Sequence, residues 1–174
     1  VLAYKNHIYI IESLKEIANK FNLKIHFVGG GNSTLISKLK RKIHKYSLSE
    51  HFIFHPFLKH DEVIKLITNS DIALFTSSVE CFGITLLEYM RAAMPIICSK
   101  ISSLPETLKD SGIYINLNNT NDLKEAVELF YRDESLRKKY GRLAYENSLK
   151  YSWEYTSNKT IEFVINKYEE ANMC

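Results

Sequence analysis

Two carboxylates, Glu80 and Glu88, flank a stretch in which small and turn-forming residues give way to a helical pattern, Cys81-Phe82-Gly83-Ile84-Thr85. A helix that opens there presents unpaired backbone amides and a partial positive charge, so the amides around Phe82, Gly83 and Ile84 can hold a diphosphate. Carboxylates beside a phosphate would repel it. They make physical sense there if they accept hydrogen bonds from sugar hydroxyls on either side, which describes a nucleotide-sugar ligand. Taken alone, the spacing favours two surface carboxylates, because exposure is the ordinary state of glutamate.

The elements that must position this segment alternate. Apolar residues recur at helical spacing from His7 to Phe21, and Leu23 to Val28 alternates as a strand ending in Gly29-Gly30-Gly31. Ser33 to Tyr46 predicts an amphipathic helix, His51 to Phe54 a strand, Asp61 to Asn69 a helix capped by Asp61, and Asp71 to Phe75 a strand. Gly83 to Ala93 is a helix, Pro95 to Cys98 a strand, Leu104 to Lys109 a helical turn, and Ile113 to Leu117 the last strand. Three helices follow, over 122–131, 134–150 and 153–170. The order predicts an α/β, Rossmann-like, doubly wound parallel sheet flanked by helices, with a helical C-terminal tail. In such a sheet the loops after the strands share one edge. Gly29 to Gly31, His55 to Leu58, Ser77 to Gly83 and Ser99 to Ser103 therefore converge.

The segment from Ser77 to Pro95, with seven residues between its two glutamates, resembles the signature of the retaining glycosyltransferases of family GT4, glycosyl transferase group 1. Similar patterns stand in the family's order at Tyr4-Lys5-Asn6-His7, L-K-I-H-F-V-G-G-G from Leu23, H-F-I-F-H-P-F-L from His51, D-I-A-L-F-T-S-S from Asp71, P-I-I-C-S from Pro95, L-P-E-T from Leu104 and Y-S-W-E from Tyr151. The resemblance implies the C-terminal, donor-binding half of a GT-B fold. It implies transfer of a sugar from a UDP- or GDP-sugar to an acceptor glycan or glycolipid, with retention of configuration, in polysaccharide or glycolipid synthesis. It assigns Glu80 to the donor sugar near the reacting carbon, Glu88 to the ribose, and main-chain groups of Phe82, Gly83, Ile84 and Thr85 to the sugar and diphosphate. Lys5 matches the lysine that neutralises the diphosphate as charge grows on the leaving group. That lysine's usual arginine partner would precede Val1.

Cys81 stands where most members have glycine, so its thiol narrows the sugar pocket or changes which donor fits; a reactive nucleophile is the other reading. Phe57 and Leu58 fall where the family holds the nucleobase, although Phe57 reads equally as core. Gly29-Gly30-Gly31 resembles the family's glycine-rich turn, and it is as well explained by a tight strand-to-helix connection. The family needs no metal and no cofactor, and none is expected here.

At 174 residues and 45% hydrophobic content the chain makes one domain with a sizeable core. A net charge of +3 gives no case for nucleic acid as a partner. No apolar run approaches the roughly 18 residues of a membrane span, and nothing resembles a signal peptide, so the reading is cytoplasmic. Cys81, Cys98 and Cys174 lack metal-ligand spacing and read as free thiols. The basic run Lys38, Lys40, Arg41, Lys42 and Lys45 is a solvated helix face or a contact for anionic lipid at the inner face of the membrane. The sequence begins at Val1 and enters the family pattern part-way. It reads as a fragment lacking the N-terminal acceptor domain and the first strand, inactive alone, with Val1 to Tyr9 or the last helix as the place of contact if the acceptor part is a separate subunit. The alternatives are a nucleotide-sugar epimerase of GT-B fold and a non-catalytic assembly domain.

Overall fold

Every strand pair is parallel, as a chain alternating strand and helix dictates. The computed structural model describes residues 2–172. The readings of Cys174 as a free thiol and of Val1 as the start of an apolar patch lie outside them. A 3-10 turn (Ala3–Lys5) leads into α1 (His7–Leu14), β1 (Ile25–Val28), α2 (Ser33–Lys45), β2 (Phe52–His55), α3 (His60–Thr68) and β3 (Ala73–Phe75). Then come α4 (Ile84–Arg91), β4 (Ile96–Ser99), α5 (Leu104–Leu108) and β5 (Ile113–Ile115), followed by α6 (Thr120–Arg132), α7 (Glu134–Ser148) and α8 (Trp153–Asn172).

The strands hydrogen-bond in two groups. β1 pairs with β2, placing Ile25 opposite Phe52, and β4 lies between β3 and β5, placing Phe75 opposite Cys98. Helices cover both faces, which is why the strands read as nearly unbroken apolar runs. On one face Ile25 and Phe27 of β1 pack with Ile11 and Leu14 of α1, Leu39 of α2 and Phe130 of α6. On the other, Phe75 of β3 and Ile96 of β4 pack with Leu86 and Met90 of α4 and Leu108 of α5. Adjacent residues Ile96 and Ile97 of β4 enter opposite layers, as strand alternation requires. Each such fully buried side chain contributes about 1.5–3 kcal/mol.

Several expectations are corrected. α1 ends at Leu14, and Lys15 to Asn22 continue as turns that still bury Ile17 and Ala18. Asn22, at φ 47°, closes them, with the Leu23 amide donating to the Ala18 carbonyl at 2.9 Å. α3 is capped at Lys59 and not by Asp61, because the Glu62 carboxylate reaches back to accept from the Lys59 amide at 2.8 Å. Phe57 is 84% exposed, which removes the core reading. α8 buries none of its residues and leaves Trp153, Phe163 and Tyr168 exposed.

α4 is held at its far end by α7. A Cβ on Gly141 would stand 2.1 Å from the Ala93 carbonyl oxygen, so only glycine permits this backbone approach. Ala93 itself turns at φ 54° to stop α4, and the Met94 amide donates back to Tyr89 at 3.1 Å.

Candidate functional site

Because the strands of each group are parallel, the loops after β1 and β2 leave their group at one edge, and those after β3 and β4 leave theirs at one edge. The N-terminal turn is stitched to the loop after β3. The Ser78 amide donates to the Tyr4 carbonyl at 2.7 Å, the Thr76 hydroxyl to the Lys5 carbonyl at 2.8 Å, and the Asn6 side-chain amide to the Thr76 carbonyl at 2.9 Å. These bonds carry Lys5 to Glu80. Its ammonium donates to Glu80 Oε1, and the Ser77 hydroxyl donates to the same oxygen at 3.0 Å. Ser77 is fixed in turn by the buried Ser99 hydroxyl, which donates to its carbonyl at 2.6 Å. The Lys5 Nζ also lies 4.8 Å from the Phe75 ring centroid and 5.0 Å from that of Tyr4, so aromatic faces add to its anchoring.

α4 opens beside this pair. Gly83 stands at φ 84°, a left-handed turn that an L side chain strains to adopt, and no side chain caps the helix. The first amides are thus available to an anion. Thr85 and Glu88, one turn apart on α4, line a cleft of about 1030 Å³ together with Lys5 and Ser77. Glu88 makes no hydrogen bond or ion pair among the described residues and is only half buried, so its carboxylate can accept from a ligand.

The structure therefore brings together Lys5, Glu80, Thr85 and Glu88 of the expected residues, with Gly83 and Ile84 at the helix entrance. Cys81 and Phe82 are exposed in the same loop, Phe82 packing edge-on to Tyr151 at 5.8 Å between centroids. Phe57 and Leu58 follow β2, and among the described residues no hydrogen bond, ion pair or ring contact joins them to the Lys5 and Glu80 pair. Cys98 is not a nucleophile: burial first, and the Glu80 charge after it, push its thiol up to about 12. Among the described residues no cluster of three or more His, Cys, Asp or Glu is arranged to hold a metal ion. No helix among the described residues is long and apolar enough to cross a membrane.

Sequence reasoning missed Asn6, Thr76, Ser77 and Ser99, which hold the two halves of the site together. Their only signal is a run of small polar residues directly after an apolar strand. The triple glycine is explained locally: Gly29 and Gly31 have φ of 109° and 150°, whereas a Cβ at Gly29 or Gly30 would meet nothing within 4 Å. His51 is structural, held between the Leu23 carbonyl at 2.8 Å and Asn19 Oδ1 at 2.7 Å.

The pattern of the glycosyl transferases group 1 family matches residues 1–147. An uncharacterised glycosyltransferase of Methanocaldococcus jannaschii is 32% identical over 165 residues, 94% of this chain and 44% of the relative. A serotype-specific mannosyltransferase of Escherichia coli is 30% identical over 128 residues, 73% of this chain and 16% of the relative. The chain spans under half the length of the curated relatives it matches. Among solved structures, the C-terminal domain of a glycosyl transferase group 1 protein from Francisella tularensis superposes with a TM-score of 0.78 at 20% identity, covering 86% of this chain and 80% of that one. The Anabaena protein HepE, solved with UDP and glucose, superposes with a TM-score of 0.85 at 17% identity, covering 96% of this chain and 46% of that one.

Proposed function

The chain belongs to the glycosyl transferases group 1 family, and we propose from that premise that it binds the nucleotide-sugar donor of a retaining glycosyltransferase. The observation that carries this reading is the meeting of Lys5, Glu80 and the uncapped start of α4 at one sheet edge. A diphosphate laid on the first amides of α4 takes Lys5 as its counter-charge. The same step releases Glu80 to accept from a sugar hydroxyl, while Glu88 accepts from the ribose. Lys5 and the helix start offset the charge that grows on the diphosphate as the glycosidic bond breaks, work that a metal ion does elsewhere.

HepE and the protein TarM, both of the same fold, were solved with UDP, which supports a UDP-sugar, with a GDP-sugar as the other donor to test. The acceptor, a glycan or glycolipid, is held by a further domain, and this domain alone transfers little. The reading places the enzyme in the cytoplasm, with the basic face of α2 turned to anionic lipid. Neither an epimerase nor an assembly role has an observation in its favour.

Thermal unfolding with UDP, GDP, ADP and their sugar conjugates tests the site. A ligand at ten times its dissociation constant adds about 1.4 kcal/mol, or about 3–6 °C at this size. Stabilisation by one nucleotide series, lost in Glu88→Ala, is the expected result. If no series at millimolar concentration moves the midpoint of the longer protein, the site binds no nucleotide.

A further inference from the structure

We propose, resting on the reading of the α4 entrance as a diphosphate seat, that Tyr151 is a positioning residue for it: Tyr151 holds Phe82 so that the amides opening α4 keep their aim. The loop between β3 and α4 is anchored unequally at its two ends. At the β3 end the Ser78 amide and hydroxyl both donate to the Tyr4 carbonyl, at 2.7 and 3.2 Å, and the Ser77 carbonyl is pinned by Ser99. At the α4 end no side chain caps the helix, and Gly83 turns at φ 84°. The Phe82 carbonyl has only the Thr107 hydroxyl near it, at 3.5 Å. The Phe82 ring is 41% exposed, and the ring contact it makes among the described residues is edge-on with Tyr151, 5.8 Å between centroids at 66°. That contact stands where the loop has no strong bond of its own.

Tyr151 can hold a neighbour because it is itself held. The last carbonyls of α5 have no partner within the helix, and side chains from the end of α7 and the turn after it meet them. Asn147 Nδ2 donates to the Thr107 and Leu108 carbonyls at 2.9 and 3.1 Å, and the Tyr151 hydroxyl lies 3.3 Å from those of Glu106 and Thr107. α5 also backs the loop directly, since a Cβ on Gly83 would stand 3.2 Å from Leu104 Cδ2. The Tyr151 ring thus ties the end of α5 to the residue before the left-handed turn. A shift of Phe82 rotates the peptide into Gly83 and re-aims the amides that follow, and hydrogen bonds weaken steeply with angle. Ser152 comes next and caps α8, its hydroxyl accepting from the Tyr155 amide at 3.0 Å. α8, which buries none of its residues, therefore springs straight from this contact. A turn of α8 reaches Phe82 through Tyr151, and a diphosphate that fixes the loop is felt at the root of α8 by the same route.

The test compares Tyr151→Leu, Tyr151→Phe and Phe82→Leu. Nuclear spin relaxation of the backbone amides of residues 82–85 is measured without nucleotide, urea unfolding gives stability, and titration calorimetry gives UDP affinity. Order parameters of these amides are expected near about 0.85 in the unmodified protein and about 0.6 or below in both leucine variants. UDP affinity should fall about tenfold in each, with the double variant no worse than either, while Tyr151→Phe, which keeps the ring and loses the hydroxyl, stays within about twofold. Phe82→Leu breaks the contact from its other side, so the test survives if Tyr151→Leu does not fold. Unchanged order parameters in the leucine variants would overturn the proposal and leave the donor reading standing. So would a lower urea midpoint with UDP affinity unchanged, the result that a purely structural tyrosine gives. UDP that binds no form of the protein overturns the donor reading, and this role for Tyr151 with it, even where the loop loosens.

Discussion

The Lys5 ammonium and the Glu80 carboxylate, 75 residues apart in sequence, close on each other at the entrance of α4. Each is the other's counter-charge until a ligand divides them. The two substitutions should therefore act in opposite directions on diphosphate binding. Lys5→Ala is expected to weaken the bound nucleoside diphosphate about tenfold, or about 1.4 kcal/mol, with a shallower salt dependence. Glu80→Gln should hold or tighten it while removing sugar transfer in the longer enzyme. Titration calorimetry at two salt concentrations reads both; equal affinity in Lys5→Ala and the unmodified protein would sink the assignment.

Gly83 is where the helix entrance is most easily spoiled. Its φ of 84° is unfavourable for an L side chain, and an added Cβ would lie 3.2 Å from Leu104 Cδ2. Gly83→Ala is expected to cost about 1–2 kcal/mol in urea unfolding. Nucleotide affinity should fall further than stability alone explains, because the amides that follow are displaced. A neutral substitution in both measurements would mean that the turn is not constrained.

Acid should loosen the fold through His7. Burial first, and after it the positive charges of the chain terminus and of Lys5, lower its pKa from 6.5 to about 4, so the folded protein keeps it neutral while the unfolded chain protonates. The contribution is complete above pH 6.5 and is lost as the pH falls towards about 4, because the unfolded state then binds the extra proton. His7→Phe, which keeps the edge contact with Phe27, should flatten this part of the profile in chemical unfolding. An unchanged slope between those pH values would reject the account.

Gly141→Ala should be the most damaging single methyl in the chain. Its Cβ would overlap the Ala93 carbonyl, and both partners are backbone, so relief requires α7 to move off α4. About 3 kcal/mol or more of destabilisation is expected, checked by the urea midpoint. A loss under 1 kcal/mol would show that α7 shifts freely.

Periodicity made most elements legible, and its errors are informative. The apolar spacing of Ile17, Ala18 and Phe21 continues that of α1, yet the helix has ended: periodicity reports which side chains face the core and not which carbonyls their amides meet. Asp61 looked like the cap of α3, but capping depends on reach, and Glu62 reaches Lys59. Glu80 and Glu88 stood out by flanking a helix start, whereas Lys5 was singled out through resemblance alone, since nothing in the spacing of residues 5 and 80 says that they touch. The division of the strands into two groups was invisible for a related reason. Composition marks a strand, while edge pairing is a property of distant segments together.

α4 has eight residues, about 12 Å of helix, with the uncapped amides proposed to hold the diphosphate at one end and the Gly141 contact at the other. It behaves as a short strut pinned at its base. Tilting the base through a small angle sweeps the tip sideways, and on the proposed function a tip that meets a diphosphate within hydrogen-bond tolerance cannot absorb that sweep. The absence of a side chain at position 141 is thus a mechanical specification for chemistry at the opposite end of the helix. Substitutions around that pin should be felt at the tip of α4 as well as in the melting curve.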